Sequence, residues 1–208
     1  MKQAYEIFQE IKPETALSVF QYLRDEQREV YKATLASLAK ERRLRPVFIQ
    51  RKPVAEQIDW MLKNVKWRGG SEVAAQVLQL WLLKAHQPLL TAFLDGLGIA
   101  HDGEGAADDL PDTLDAKKLK STVAALVKQF DPEVVAIYLR IFQTQKAGGW
   151  PELAERIDSA PELRLGAAPP EPESAPAAEE APAAEAEEAP KKKAPAKKTA
   201  KPSPGTEA

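Results

Sequence analysis

The sequence predicts an all-α fold: a globular bundle of about seven or eight short helices in residues 1–165, with a disordered tail in residues 166–208. Three observations carry this. Apolar residues recur at three- and four-residue intervals in one segment after another, and no stretch alternates as a strand would. Proline and glycine mark the breaks between most of these segments. From residue 166 onward there is no Val, Leu, Ile, Met or aromatic residue, so burial cannot offset the entropy of ordering that segment.

Ala4, Ile7, Phe8 and Ile11 form the stripe of a first helix. Pro13 and Glu14 suit the opening turn of a second. A proline there lacks only an N–H that has no helical partner, and the acid meets the positive end of the dipole. Ala16, Val19, Phe20 and Leu23 are its apolar face. The polar run 24–29 reads as a bend or a solvated turn, after which Tyr31, Leu35 and Leu38 resume the stripe. Cations in residues 40–45 close it at the negative dipole end. Pro46 and Pro53 bracket a short helix or turn whose Val47, Phe48 and Ile49 are expected in the core. Ile58, Met61, Leu62 and Val65 make the next amphipathic helix. Gly69-Gly70 is its expected stop and Ser71 the expected N-cap of the helix that follows.

Residues 71–97, SEVAAQVLQLWLLKAHQPLLTAFLDGL, have the densest apolar content. Val73, Val77, Leu80, Trp81 and Leu83 recur at helical spacing. Leu80-Trp81-Leu82-Leu83 point around most of a helix, so cover from several sides is expected. Pro88 cannot donate within a helix and disfavours helical dihedrals at Gln87, which predicts a break at residues 86–88. Gly96 and Gly98 supply the stop. Polar residues interrupt every run approaching the roughly 18 apolar residues of a membrane span.

IAHDGEGAADDLPD then reads as a loop. Asp115 or Thr113 caps a helix whose buried set is Leu119, Val123, Leu126, Val127 and Phe130. Asp131-Pro132-Glu133 combines a cap, a first-turn proline and a first-turn acid. Val134, Ile137, Tyr138, Ile141 and Phe142 follow on one face, and Gly148-Gly149 is the expected stop. Residues 151–157 and 162–165 give one or two short terminal turns, with Leu153 and Ile157 facing inward. IKPETALSVF and FDPEVVAIYL both place Pro-Glu before an apolar run. The first resembles the short helical repeats of magnesium-transporter cytoplasmic domains and flagellar rotor proteins over residues 6–38; no regular repeat follows it.

The absence of cysteine excludes disulfides, thiolate catalysis and Cys-ligated metal sites. The N-terminus has no apolar core of a secretory signal, so a cytoplasmic protein is expected. A net charge of −2 hides segregation. Residues 166–208 hold eight acids and six lysines, which leaves equal numbers of acids and bases upstream. Residues 40–68 carry nine Lys/Arg against three acids, and residues 95–115 carry seven acids and no Lys or Arg.

Four segments carry candidate chemistry. Lys191, Lys192, Lys193, Lys197, Lys198 and Lys201 lie in KKKAPAKKTAK, which resembles the tails of linker histones and of some bacterial nucleoid proteins. Such a segment implies phosphate-backbone binding by counterion release, against a solubilising or tethering role. Residues 40–68 interleave cations with Phe48, Trp60 and Trp67, the pattern of a base-stacking surface; a solvated helix face is the plainer reading. Arg68, Gly69, Gly70 and Ser71 precede a helix start, where free amides hold anions, although the Walker spacing and lysine are missing. His101, Asp102, Glu104, Asp108 and Asp109 form an acidic cluster able to ligate a metal, or else a solvated acidic loop that meets a basic partner or residues 40–68. No catalytic motif is present. The expected function is a non-enzymatic protein-interaction module with a charged tail, with no cofactor and a protein partner. The alternative is a nucleic-acid-associated protein that uses the lysine-rich tail and the basic helical face.

Overall fold

In the computed structural model, residues 2–107 and 109–166 are described. Among them are ten α-helices and two 3-10 turns, and no strand. A first group comprises α1 (Ala4–Glu10), α2 (Pro13–Glu26), α3 (Arg28–Glu41), α4 (Pro46–Gln50) and α5 (Val54–Val65). A 3-10 turn at Arg68–Gly70 leads into α6 (Ser71–Ala85). The second group comprises α7 (Gln87–Leu97), α8 (Ala116–Gln129), α9 (Pro132–Gln143) and α10 (Pro151–Ser159), closed by a 3-10 turn at Pro161–Leu163. The helices outnumber the apolar segments partly because Gln27, with φ −130° and ψ 54°, separates α2 from α3. His86, with φ −128° and ψ 30°, likewise separates α6 from α7 at the break expected from Pro88. The expected tail lies outside the described residues except for Gly166.

The middle position belongs to α6. It packs against α1, α2, α3, α5, α7 and α9. Val73, Val77, Leu78, Trp81 and Leu82 are buried, and Leu80 and Leu83 are partly buried. No helix among the described residues is long and apolar enough to cross a membrane.

Local chemistry sets several boundaries. Asp115 caps α8 by accepting from the amides of Lys117 (2.8 Å) and Lys118 (3.1 Å). Those bonds favour the carboxylate and hold its pKa below the ordinary value. Asp131 caps α9 through the amide of Glu133 at 2.7 Å, with Pro132 in the first turn. Gly98 ends α7 in the left-handed conformation that glycine adopts at least cost (φ 74°).

Other boundaries differ from expectation. Gly70, not Ser71, caps α6, and the Ser71 hydroxyl lies 3.5 Å from Gln3 Oε1 instead. Gly96 is inside α7, where a β-carbon would stand 2.5 Å from Thr122; it is a close-approach point between α7 and α8. The helix before Gly148-Gly149 ends earlier, at Gln143, and α5 ends at Val65. In α4 only Ile49 is buried; Val47 and Phe48 face solvent.

Glu133, expected merely to favour a helix start, is 5% exposed and joins distant parts of the chain. Its carboxylate accepts from the Lys12 amide (2.9 Å), the Gly166 amide (3.0 Å) and the Thr15 hydroxyl. The start of α2, the start of α9 and the last described residue therefore meet on one buried anion. Phe93, Tyr138, Phe142 and Trp150 form a run of ring contacts. Phe142 stacks on Trp150 at 4.8 Å and 14°. The Trp150 indole N–H donates to the Pro111 carbonyl at 2.8 Å, which pins the long loop before α8 to the core.

Candidate functional site

The surface of α3, α4 and the start of α5 exposes apolar side chains that its local fold cannot cover. Phe48 is 59% exposed, Leu44 45%, Val54 43% and Val47 42%. The reason is geometric. A five-residue helix is little more than one turn, so it presents few residues to any one neighbour, and α4 lies chiefly on α3. Ile49 takes the inward position and the others are left outside.

Exposed cations flank them in the sequence. Among the described residues, Arg43, Arg45 and Arg51 form no salt bridge, whereas Lys52 pairs with Glu56 at 2.9 Å. Arg43 has φ 55° and is the one non-glycine described residue in the left-handed region. It occupies the position after α3 that glycine usually takes. The Leu44 amide donates to Ala39 O (2.8 Å) and the Arg43 amide to Lys40 O (2.9 Å), the bond pair of a Schellman stop. A side chain there costs about 1 kcal/mol relative to glycine. An arginine is thus presented at the cap despite the local cost.

Trp67 lies at the far end of the basic segment and is 41% exposed. The Arg42 guanidinium sits 4.2 Å from the centre of its ring and donates to Asn64 Oδ1 at 2.6 Å. The indole also crosses Gly69, where a β-carbon would stand 2.1 Å from the ring. Gly70 approaches the Asn64 carbonyl so closely that a β-carbon would stand 2.9 Å away, and its amide donates to Trp67 O at 2.8 Å. Packing therefore explains both glycines of the Arg68, Gly69, Gly70, Ser71 candidate. Trp60 packs against the core.

The acidic cluster bonds to itself. His101 accepts from the Gly103 amide at Nδ1 (3.0 Å), so its Nε2 carries the proton and donates to Asp95 Oδ1 (3.1 Å). Asp102 Oδ1 accepts from the amides of Glu104 (2.7 Å) and Ala106 (3.1 Å), which holds its pKa below the ordinary value. Glu104 reaches Lys84 at 3.8 Å, and Asp109 lines a shallow recess beside Leu114 and Lys118. Among the described residues no group of three or more His, Cys, Asp or Glu could hold a metal, and none of these acids pairs with residues 40–68. Asp108 lies outside the described residues, as do Lys191, Lys192, Lys193, Lys197, Lys198 and Lys201.

No protein-family model, curated protein or solved structure matches the chain. The exposure of Phe48 was missed in the sequence, although a signal was there: VFI sits between two prolines with no second apolar turn to pair with it. The left-handed Arg43 had no signal, since a glycine is what normally announces that conformation.

Proposed function

We propose that this chain is a non-enzymatic helical interaction module that docks through the cationic, apolar surface of α3, α4 and the start of α5. The observation that carries the reading is the exposure of Phe48, Val47 and Leu44 beside Arg43, Arg45 and Arg51. Exposed apolar groups rimmed by charge mark partner surfaces, and arginine and aromatic residues are enriched in them. The matching partner is an acidic protein segment with apolar side chains. Its charge would be steered by the arginines, and its apolar groups would cover Phe48.

A nucleic-acid partner finds less support on this surface. Arg42 already stacks on one face of Trp67, and Trp60 is packed against the core, so two of the three aromatic residues offered for base stacking have partners within the fold. The test is fluorescence anisotropy with an acidic amphipathic helical peptide and with duplex DNA, each at low and physiological salt. The reading expects saturable peptide binding that Phe48→Ala and Arg45→Glu both weaken at physiological salt. Binding of DNA alone, unchanged by Phe48→Ala, supports the phosphate-backbone alternative instead.

A further inference from the structure

A second site, remote from that surface, lies between α6, α7, α9 and the loop before α8. Leu82, Leu90, Leu94 and Phe142 wall a partly open cavity of about 240 Å³, which Gln79 and Gln145 also line. Tyr138 also lines it and is 5% exposed. Its ring is fixed edge-on to Phe93, with centroids 5.2 Å apart at 87°. Its hydroxyl makes no hydrogen bond with any described residue, and burial alone pushes its pKa up. The hydroxyl is not among the fully buried unpartnered atoms, so it is open to a partner that enters the recess. Here it shares the recess with the side chains of Gln79 and Gln145, and the rest of the named lining is apolar or small.

We infer that this cavity is a binding site for a small neutral ligand, a single-ring aromatic or hydrocarbon of similar size, whose one hydrogen-bonding group meets the Tyr138 hydroxyl. Size sets the upper limit. A void of about 150 Å³ already accepts benzene, while sites for drug-sized molecules begin near 300 Å³. Charge sets the class, because none of the described lining residues is ionised at neutral pH. A carboxylate or ammonium group would be desolvated there without a counter-ion. Polarity sets the orientation: the apolar body lies against Leu82, Leu90 and Leu94, and the polar group points to Tyr138.

Phenol and toluene test this as a nearly isosteric pair, a hydroxyl in one standing where the other has a methyl. Both are titrated into the full chain while the NMR signals of Tyr138, Phe142 and the lining leucine methyls are followed. Saturable shifts confined to these residues are expected, with phenol binding about three- to tenfold more tightly than toluene, the range of one neutral hydrogen bond. Tyr138→Phe should remove that difference and leave toluene binding intact, which also reports that the variant is folded. Ala107→Phe, which adds bulk to the lining, should weaken both ligands. Equal affinities in the unaltered chain, or a phenol preference that survives Tyr138→Phe, overturn the assignment. So does the absence of saturable shifts at millimolar probe, in which case the recess serves water or a partner's side chain.

Discussion

Helices α4 and α9 both carry dense apolar sequence, yet they have opposite fates. In α9, ten of the twelve residues from Pro132 to Gln143 are buried, including Glu133 and Gln143. In α4 one of five is. Composition does not account for it: VFI, with no alanine or tyrosine, is if anything the more apolar run beside VVAIYL. The number of neighbours does. Helices α6, α8 and α10 and the terminal 3-10 turn all pack on α9, whereas α4 rests mainly on α3. Burial is a property of the covering elements, and the residues left uncovered are the ones free to meet another molecule.

The sharpest way to break this comparison is Trp150→Ala. Trp150 is fully buried beneath α9, and its removal should cost about 3–5 kcal/mol in urea unfolding. Next is Glu133→Ala, which strips a buried carboxylate from the amides of Lys12 and Gly166; a loss of about 2–3 kcal/mol is expected. Asp131→Ala removes only the cap of α9 and should cost about 1 kcal/mol, read as a shift in the urea midpoint.

A pH scan probes the joint between the two groups of helices. His86 packs edge-on against Trp81 at 4.4 Å. Burial lowers its pKa, while the nearby Asp131 partly opposes that shift. The unfolded chain therefore takes up this proton near the ordinary value of 6.5, and the folded chain only at lower pH. Stability from this group is present above that value and is lost as pH falls toward the lowered folded value. His86→Gln should flatten the thermal midpoint between those limits.

On the α4 side the effects on stability should be smallest. Phe48→Ala should change stability by no more than about 0.5 kcal/mol, because the ring has little packing to lose. It should nevertheless weaken binding of the acidic peptide. A Phe48→Ala variant that unfolds as readily as Trp150→Ala would erase the contrast between the two helices.

What was legible in the sequence was local. The caps at Asp115 and Asp131, the break at His86 and the left-handed stop at Gly98 depend on a few adjacent residues and lie where their chemistry put them. The burial of Trp81 and Leu82 followed from a run apolar around most of the helix, although Leu80 and Leu83 are only partly covered. What escaped was set by distant partners. Gly69 and Gly96 read as helix stops, but they are spaces for Trp67 and Thr122. Glu133 looked like a first-turn acid, and only the fold brings it the amides of Lys12 and Gly166. The Tyr138 recess is assembled from three helices and a loop, so no single stretch could announce it.

Glu133 also imposes an order on biosynthesis. As the polypeptide emerges from a ribosome, Lys12 and Thr15 come out first, and the acid they bond to follows 121 and 118 residues later. Gly166 arrives another 33 residues on. The leading helices can coil early, but this lock between the two groups closes only when translation of the helical body is all but complete.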